Sequence, residues 1–318
     1  MYHELMKNFG KKLVIILSTG YIFLYFGEFI FWANFDPESG LPEWILTWFF
    51  YSFLGYAFLL IVSHFRVRNI WALFLAGAAF GWLGEGVYAQ TFFGAEAAAL
   101  PITISWTALA WHAPLNVLFG WYFLRKLFLQ NSYKKTIGVA LLSGIIFSVW
   151  SIFWWLQETP NTIVEYALFT LITTGLLLVA LASYQSVQPF EFKASKVEMG
   201  IVGLIVALSF GILVIPAQPL WFLLPPFFLV LFFALRKNRQ RETQGDLISG
   251  LPGKLPIKNL LLFLIAPVTA ICLYALCFAL EIRFPTYHFF YYPSTIAGFV
   301  LFGMSLYKMF RGTQKIQS

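Results

Sequence analysis

Glu85, His112 and Asn116 are the residues of this chain whose types and spacing can do chemistry. Each falls inside a long apolar run. A carboxylate and an imidazole are costly there, and they mark an ion or substrate path more often than packing. A desolvated glutamate can act as general acid or base, an imidazole can share or relay its proton, and an amide or hydroxyl can hold a substrate's polar group. On this reading Glu85 and His112 are the catalytic pair, and Glu28, Gln90, Ser105, Asn116 and Glu165 contact the substrate.

Helical spacing gives the orientation. Gly77, Gly81 and Glu85 follow one another at i, i+4 and i+8, so they share a face whose small residues admit a neighbouring helix. Ser105, Leu109, His112 and Asn116 stand at i, i+4, i+7 and i+11 on the next run, again as one stripe. The hairpin between the runs is short, so the helices are expected to be antiparallel neighbours. At about 1.5 Å per residue, Glu85 and His112 each lie roughly 12–14 Å below the same surface, which predicts a Glu–His contact. Glu28 lies about 9 Å from that side, and Glu165 opens the sixth run at shallower depth still. Asn34, Ser151 and Gln157 are close in depth. The alternative is structural: a Glu–His pair can be a mutually satisfied tie between helices. Glu28 and Glu165 can snorkel to an interface, and Asn116 can cover the carbonyl that Pro114 leaves unpaired.

The stretch His112-Ala-Pro-Leu-Asn116 resembles the HxxxN element of the CPBP (CAAX-type) glutamic intramembrane proteases, with Glu85 preceding it as that family's glutamates do. The resemblance implies a glutamate–histidine site cleaving a membrane-embedded bond, and it covers the third and fourth runs alone. The family's EExxxR is represented by Glu85-Gly-Val-Tyr-Ala-Gln90, without the second glutamate or the arginine, and the second motif histidine is absent. The family assignment is therefore not adopted. The chain carries no HExxH zinc motif and no GxSxG nucleophile elbow. One deep histidine cannot build a three-histidine zinc site or a bis-histidine haem. No metal and no cofactor is expected.

The frame around these residues is a membrane protein. Apolar residues make up 60% of the chain and charged residues 11%, against about 45–50% and about 25% in soluble domains. Ten runs of about 20 apolar residues, enough to span a bilayer, cover 13–34, 43–64, 70–92, 103–124, 136–157, 161–183, 198–216, 219–236, 259–281 and 289–310. The seventh and eighth are parted only by Ala217 and Gln218, with Pro216 and Pro219 at the two edges. With the N-terminus inside, every one of the 21 Lys and Arg residues except Arg283 falls on the cytoplasmic side, as the positive-inside rule requires. That accounts for the net charge of +7 without a nucleic-acid partner. Outer loops carry Asp36, Glu38, Glu43, Glu96, Glu158 and Glu281, and Trp and Tyr residues gather near the outer ends as an interface belt. The expected fold class is all-α: a polytopic plasma-membrane protein of about ten transmembrane helices, both termini cytoplasmic, forming a single domain over residues 1–318. The cytoplasmic parts are 1–12, a mobile basic loop at 237–258 and a tail at 311–318. Cys272 and Cys277, five residues apart on one helix, point away from each other and do not form a disulfide.

Three functions fit. The first is an enzyme acting by general acid/base chemistry on a lipid, isoprenoid or membrane-embedded substrate. The second is a proton-coupled small-molecule transporter of five-plus-five inverted-repeat type, with Pro114 and Pro267 in corresponding places of the two halves. The third is a scaffold or complex subunit in which the Glu–His pair is a structural bridge. Membrane lipids are expected partners in all three, and a lipid or small molecule is the substrate in the first two. The sequence is silent on oligomeric state.

Overall fold

The computed structural model of the chain describes residues 2–33, 40–94, 99–130, 132–156, 159–241, 246–283 and 287–311. Asn34, Asp36, Glu38, Glu96, Gln157, Glu158 and the tail from Gly312 lie outside the described residues, as do the side chains of His3 and His288. Every regular element among the described residues is helical. Long apolar segments form helices because a helix satisfies its own backbone N–H and C=O groups where water cannot.

The long helices follow the hydrophobic runs. They are α1 (Asn8–Trp32), α2 (Leu41–His64), α3 (Ile70–Tyr88), α4 (Ala108–Phe123), α5 (Tyr133–Trp154), α6 (Ile163–Ser186), α7 (Lys196–Val214), α8 (Trp221–Arg241), α9 (Ile257–Ala279) and α10 (Tyr287–Arg311). Among the described residues eight of them are long and apolar enough to cross a membrane, which is compatible with a multi-pass membrane protein. The two that fall short of the ten expected are α4 and α10. His112, Pro114 and Asn116 dilute the apolar character of α4, and the first three side chains of α10, at 287–289, lie outside the described residues.

Local sequence sets several helix starts. The Asn69 side chain accepts the Ala72 N–H at 2.9 Å to open α3. Thr162 with Glu165, and Ser195 with Glu198, form reciprocal capping boxes at α6 and α7.

The chain divides into two compact units. The first comprises Met1–Ser52, Gly120–Pro189 and Pro252–Pro293. Within it the Tyr21 hydroxyl donates to the Thr173 carbonyl (3.1 Å), and Tyr25 hydrogen-bonds Thr174 (2.8 Å), tying α1 to α6. Tyr166 and Tyr274 stack with ring centres 3.8 Å apart, joining α6 to α9. The second unit comprises Phe53–Phe119, Phe190–Leu251 and Ser294–Ser318. Here Asn238 of α8 donates to the carbonyls of Phe65 (2.9 Å) and Arg66 (3.2 Å) and accepts from Asn69 (3.0 Å), so it clasps the turn between α2 and α3. The Leu247 N–H reaches the Val67 carbonyl at 2.9 Å, and Ile248 is fully buried. The described part of the basic loop is thus folded against that turn, not free of it, because two apolar side chains punctuate its charges. Cys272 and Cys277 are both free thiols.

Candidate functional site

Glu85 and His112 meet. The carboxylate Oε1 lies 2.6 Å from the imidazole Nε2. Both residues belong to the second unit, and two glycines make the approach possible. A Cβ on Gly81 would stand 2.7 Å from the Ala108 Cα, and one on Gly77 would stand 3.0 Å from the Ala113 Cα. The small-residue face of α3 therefore lies directly against the backbone of α4, one and two turns before Glu85. The Trp82 indole N–H donates to the Ile104 carbonyl at 2.8 Å and holds the segment that leads into α4.

The backbone around the pair is not regular α-helix. Glu85 lies in a π-helical turn, Leu83–Tyr88, and His112 and Asn116 lie in the π-helical α4. Such widened turns are rare and concentrate at functional sites. Asn116, fully buried, places Oδ1 3.3 Å from His112 Nδ1. With Nδ1–H donating to that amide oxygen, Nε2 faces Glu85, and one proton is shared across the 2.6 Å contact. The Thr91 hydroxyl donates to the other carboxylate oxygen, Oε2. The Phe80 ring stands edge-on to the imidazole, with ring centres 5.4 Å apart and planes at 79°. Side-chain exposure is 7% for His112 and 15% for Glu85, so any opening to the pair lies on the glutamate side.

The remaining expected site residues are employed elsewhere. The Ser105 hydroxyl is spent on the Thr295 carbonyl of α10 at 2.8 Å. Gln90 donates to the Leu213 carbonyl (3.1 Å) and accepts from Gln218 (2.7 Å), bracing the end of α7. Glu28 and Glu165 belong to the first unit. Glu28, also in a π-helical turn (Tyr25–Phe29), accepts from the Tyr51 hydroxyl (2.6 Å) and the Trp32 indole (2.8 Å). Glu165 closes the capping box of α6, accepting from the Thr162 N–H at 2.8 Å. The structure thus brings Glu85, His112 and Asn116 together, while Gln90, Ser105, Glu28 and Glu165 have other hydrogen-bond partners.

Two residues escaped sequence reasoning. Thr91 is six positions beyond Glu85, where a regular helix would turn it away; the left-handed Gln90 (φ 60°) reverses the chain and returns it. Arg125, counted only among the basic residues between the runs, is fully buried in the first unit. Its guanidinium lies 3.9 Å from the Tyr184 ring centre and 5.0 Å from that of Trp121. Trp121 four residues earlier was the available signal, since that spacing stacks one side chain on the other. Outside the long helices, burial pushes the Asp246 carboxyl above its ordinary pKa, opposed by the N–H groups of Ile248 and Ser249.

A carboxylate, an imidazole and an orienting amide in line can hold and move a proton. Among the described residues no group of His, Cys, Asp or Glu is arranged to hold a metal ion. No family model, no curated protein and no solved structure matches the chain.

Proposed function

We propose that this chain is a plasma-membrane protein of ten spans with both termini cytoplasmic, and that Glu85 and His112 form a general acid/base site in the outer half of the bilayer. The substrate class is a lipid, an isoprenoid or a membrane-embedded peptide bond. One observation carries the reading: the Glu85–His112 contact of 2.6 Å, with Asn116 on the opposite ring nitrogen. A base oriented by a third group is the arrangement that hydrolytic and transfer sites require. In a hydrolysis the pair takes a proton from the attacking water as the new C–O or P–O bond forms. It returns that proton to the leaving oxygen or nitrogen as the old bond breaks. The greater exposure of the Glu85 side chain, 15% against 7% for His112, supports it as the member that meets the substrate.

The test compares lipid extracts and membrane peptides, by mass spectrometry, from cells producing the parent chain or Glu85→Gln. A product pool present with the parent and at least about 100-fold lower with Glu85→Gln supports the reading. Identical pools, with both proteins equally abundant in the membrane, overturn it.

A second reading draws on the burial of the pair. His112 and Glu85 are largely enclosed and mutually satisfied, as a tie between α3 and α4 would be. That reading makes the chain a scaffold or subunit, and it expects Glu85→Gln to change stability while leaving all pools alike.

A further inference from the structure

An apolar groove of about 750 Å³ runs along the first unit, between α1, the opening turns of α2, and α6. Its walls include Leu17, Tyr21, Trp48, Phe169, Ile172 and Leu176. Polar atoms in these walls are turned onto backbone carbonyls. The Tyr21 hydroxyl donates to Thr173, the Trp48 indole to Leu17 (2.9 Å), and the Thr173 hydroxyl to Phe169 (2.7 Å). With those groups satisfied internally the wall presents carbon, and an occupant bearing polar groups along its length would leave them unpaired.

Length and charge narrow the occupant further. The lining reaches from Glu165 to Ser183 on α6, about 27 Å at 1.5 Å per residue. That exceeds the half-thickness of roughly 15 Å which one leaflet's acyl chain must cover. The two ends differ in sign. Glu165 marks one end, and at the other Lys11 stands three residues before the lining residue Val14, on the same face of α1. A cationic end attracts a phosphate and the acidic end repels it, which sets the direction of the chain.

We propose that this groove binds an acyl chain of an anionic phospholipid, with the phosphate at Lys11 and the chain running along α6 toward Glu165. The inference rests on membrane placement and is independent of the Glu85–His112 chemistry. The experiment titrates the purified full chain in detergent with phosphatidylglycerol or phosphatidylcholine of identical acyl chains, counting bound lipid by native mass spectrometry. The parent is expected to retain phosphatidylglycerol at roughly fivefold lower concentration than phosphatidylcholine. Lys11→Gln should equalise the two. Leu176→Trp should weaken both, because it fills the groove; Leu176 is 47% exposed, so the larger ring does not enter the core. Ile172→Trp, at a position 59% exposed, replaces it if the melting temperature drops. Equal affinity of the parent for both lipids, or unchanged binding with the groove filled, overturns the proposal. Recovery of the chain in the soluble fraction after alkaline carbonate washing would overturn the membrane placement instead.

Discussion

The 2.6 Å approach of a carboxylate to an imidazole admits two protonation arrangements, a neutral acid donating to nitrogen or an imidazolium donating to a carboxylate. Either way, removing one partner strands the other. His112→Ala is expected to destabilise the protein by about 3–5 kcal/mol, the range for breaking a buried pair. Glu85→Gln keeps a neutral hydrogen-bonding group and should cost far less. Thermal melts of the two purified variants check this; a loss with Glu85→Gln as large as with His112→Ala would mean that the glutamate is ionised in the pair and that its charge holds the fold. Arg125 offers a second residue-scale prediction. Stacking on an aromatic face contributes about 2 kcal/mol when desolvated, and it depends on the planar guanidinium. Arg125→Lys should therefore melt below the parent, despite keeping the charge. The pair was legible in the sequence because both groups are conspicuous inside apolar runs and their depths agree. Arg125 was not, since a basic residue at the end of an apolar run is ordinarily read as solvated, and only three-dimensional packing reveals the Tyr184 ring beside it.

At the level of helices, the contact of α3 with α4 depends on the absence of a side chain at Gly81. Gly81→Val would drive carbon into the Ala108 backbone, and overpacking of this kind costs about 1–3 kcal/mol. A lowered melting temperature with loss of the Glu85–His112 coupling is the expected result. The i, i+4, i+8 spacing made this face readable. The π-helical turns were not readable, because nothing in the composition of Leu83–Tyr88 separates a widened turn from a regular one. Thr91 was hidden by the left-handed Gln90, a backbone reversal that its residue type does not announce. Asp246 supplies the pH dependence. Its folded-state pKa is raised, so the folded protein favours the protonated acid, and the ionised carboxylate weakens the fold above that pKa. Asp246→Asn should therefore stabilise the protein at neutral pH. Its advantage should shrink as the pH falls through the carboxylate range, and melting curves from pH 4 to 7 check it.

For the molecule as a whole, the charge asymmetry of the loops makes a topological prediction. Reporter fusions ending at residues 130, 189 and 251 should read as cytoplasmic, and one ending at residue 94 as external; a single reversed reading would displace the ten-span arrangement. The hydrophobic runs were legible because each is long and continuous, and the helices formed follow them. The partition into compact units was not, because it follows neither half of the chain. Each unit draws on an early, a middle and a late segment, the first as far as Pro293 and the second from Ser294 onward. Neither can close until its last segment, beginning at Pro252 in the first and Ser294 in the second, has been made. At about 5–20 residues per second, the earliest helices wait tens of seconds for their last partners, holding unfinished faces that a chaperone or insertase must cover. Truncation anywhere before α10 would then leave two incomplete bodies in place of one sound half, and coexpressed fragments would rescue each other only if both are present during insertion.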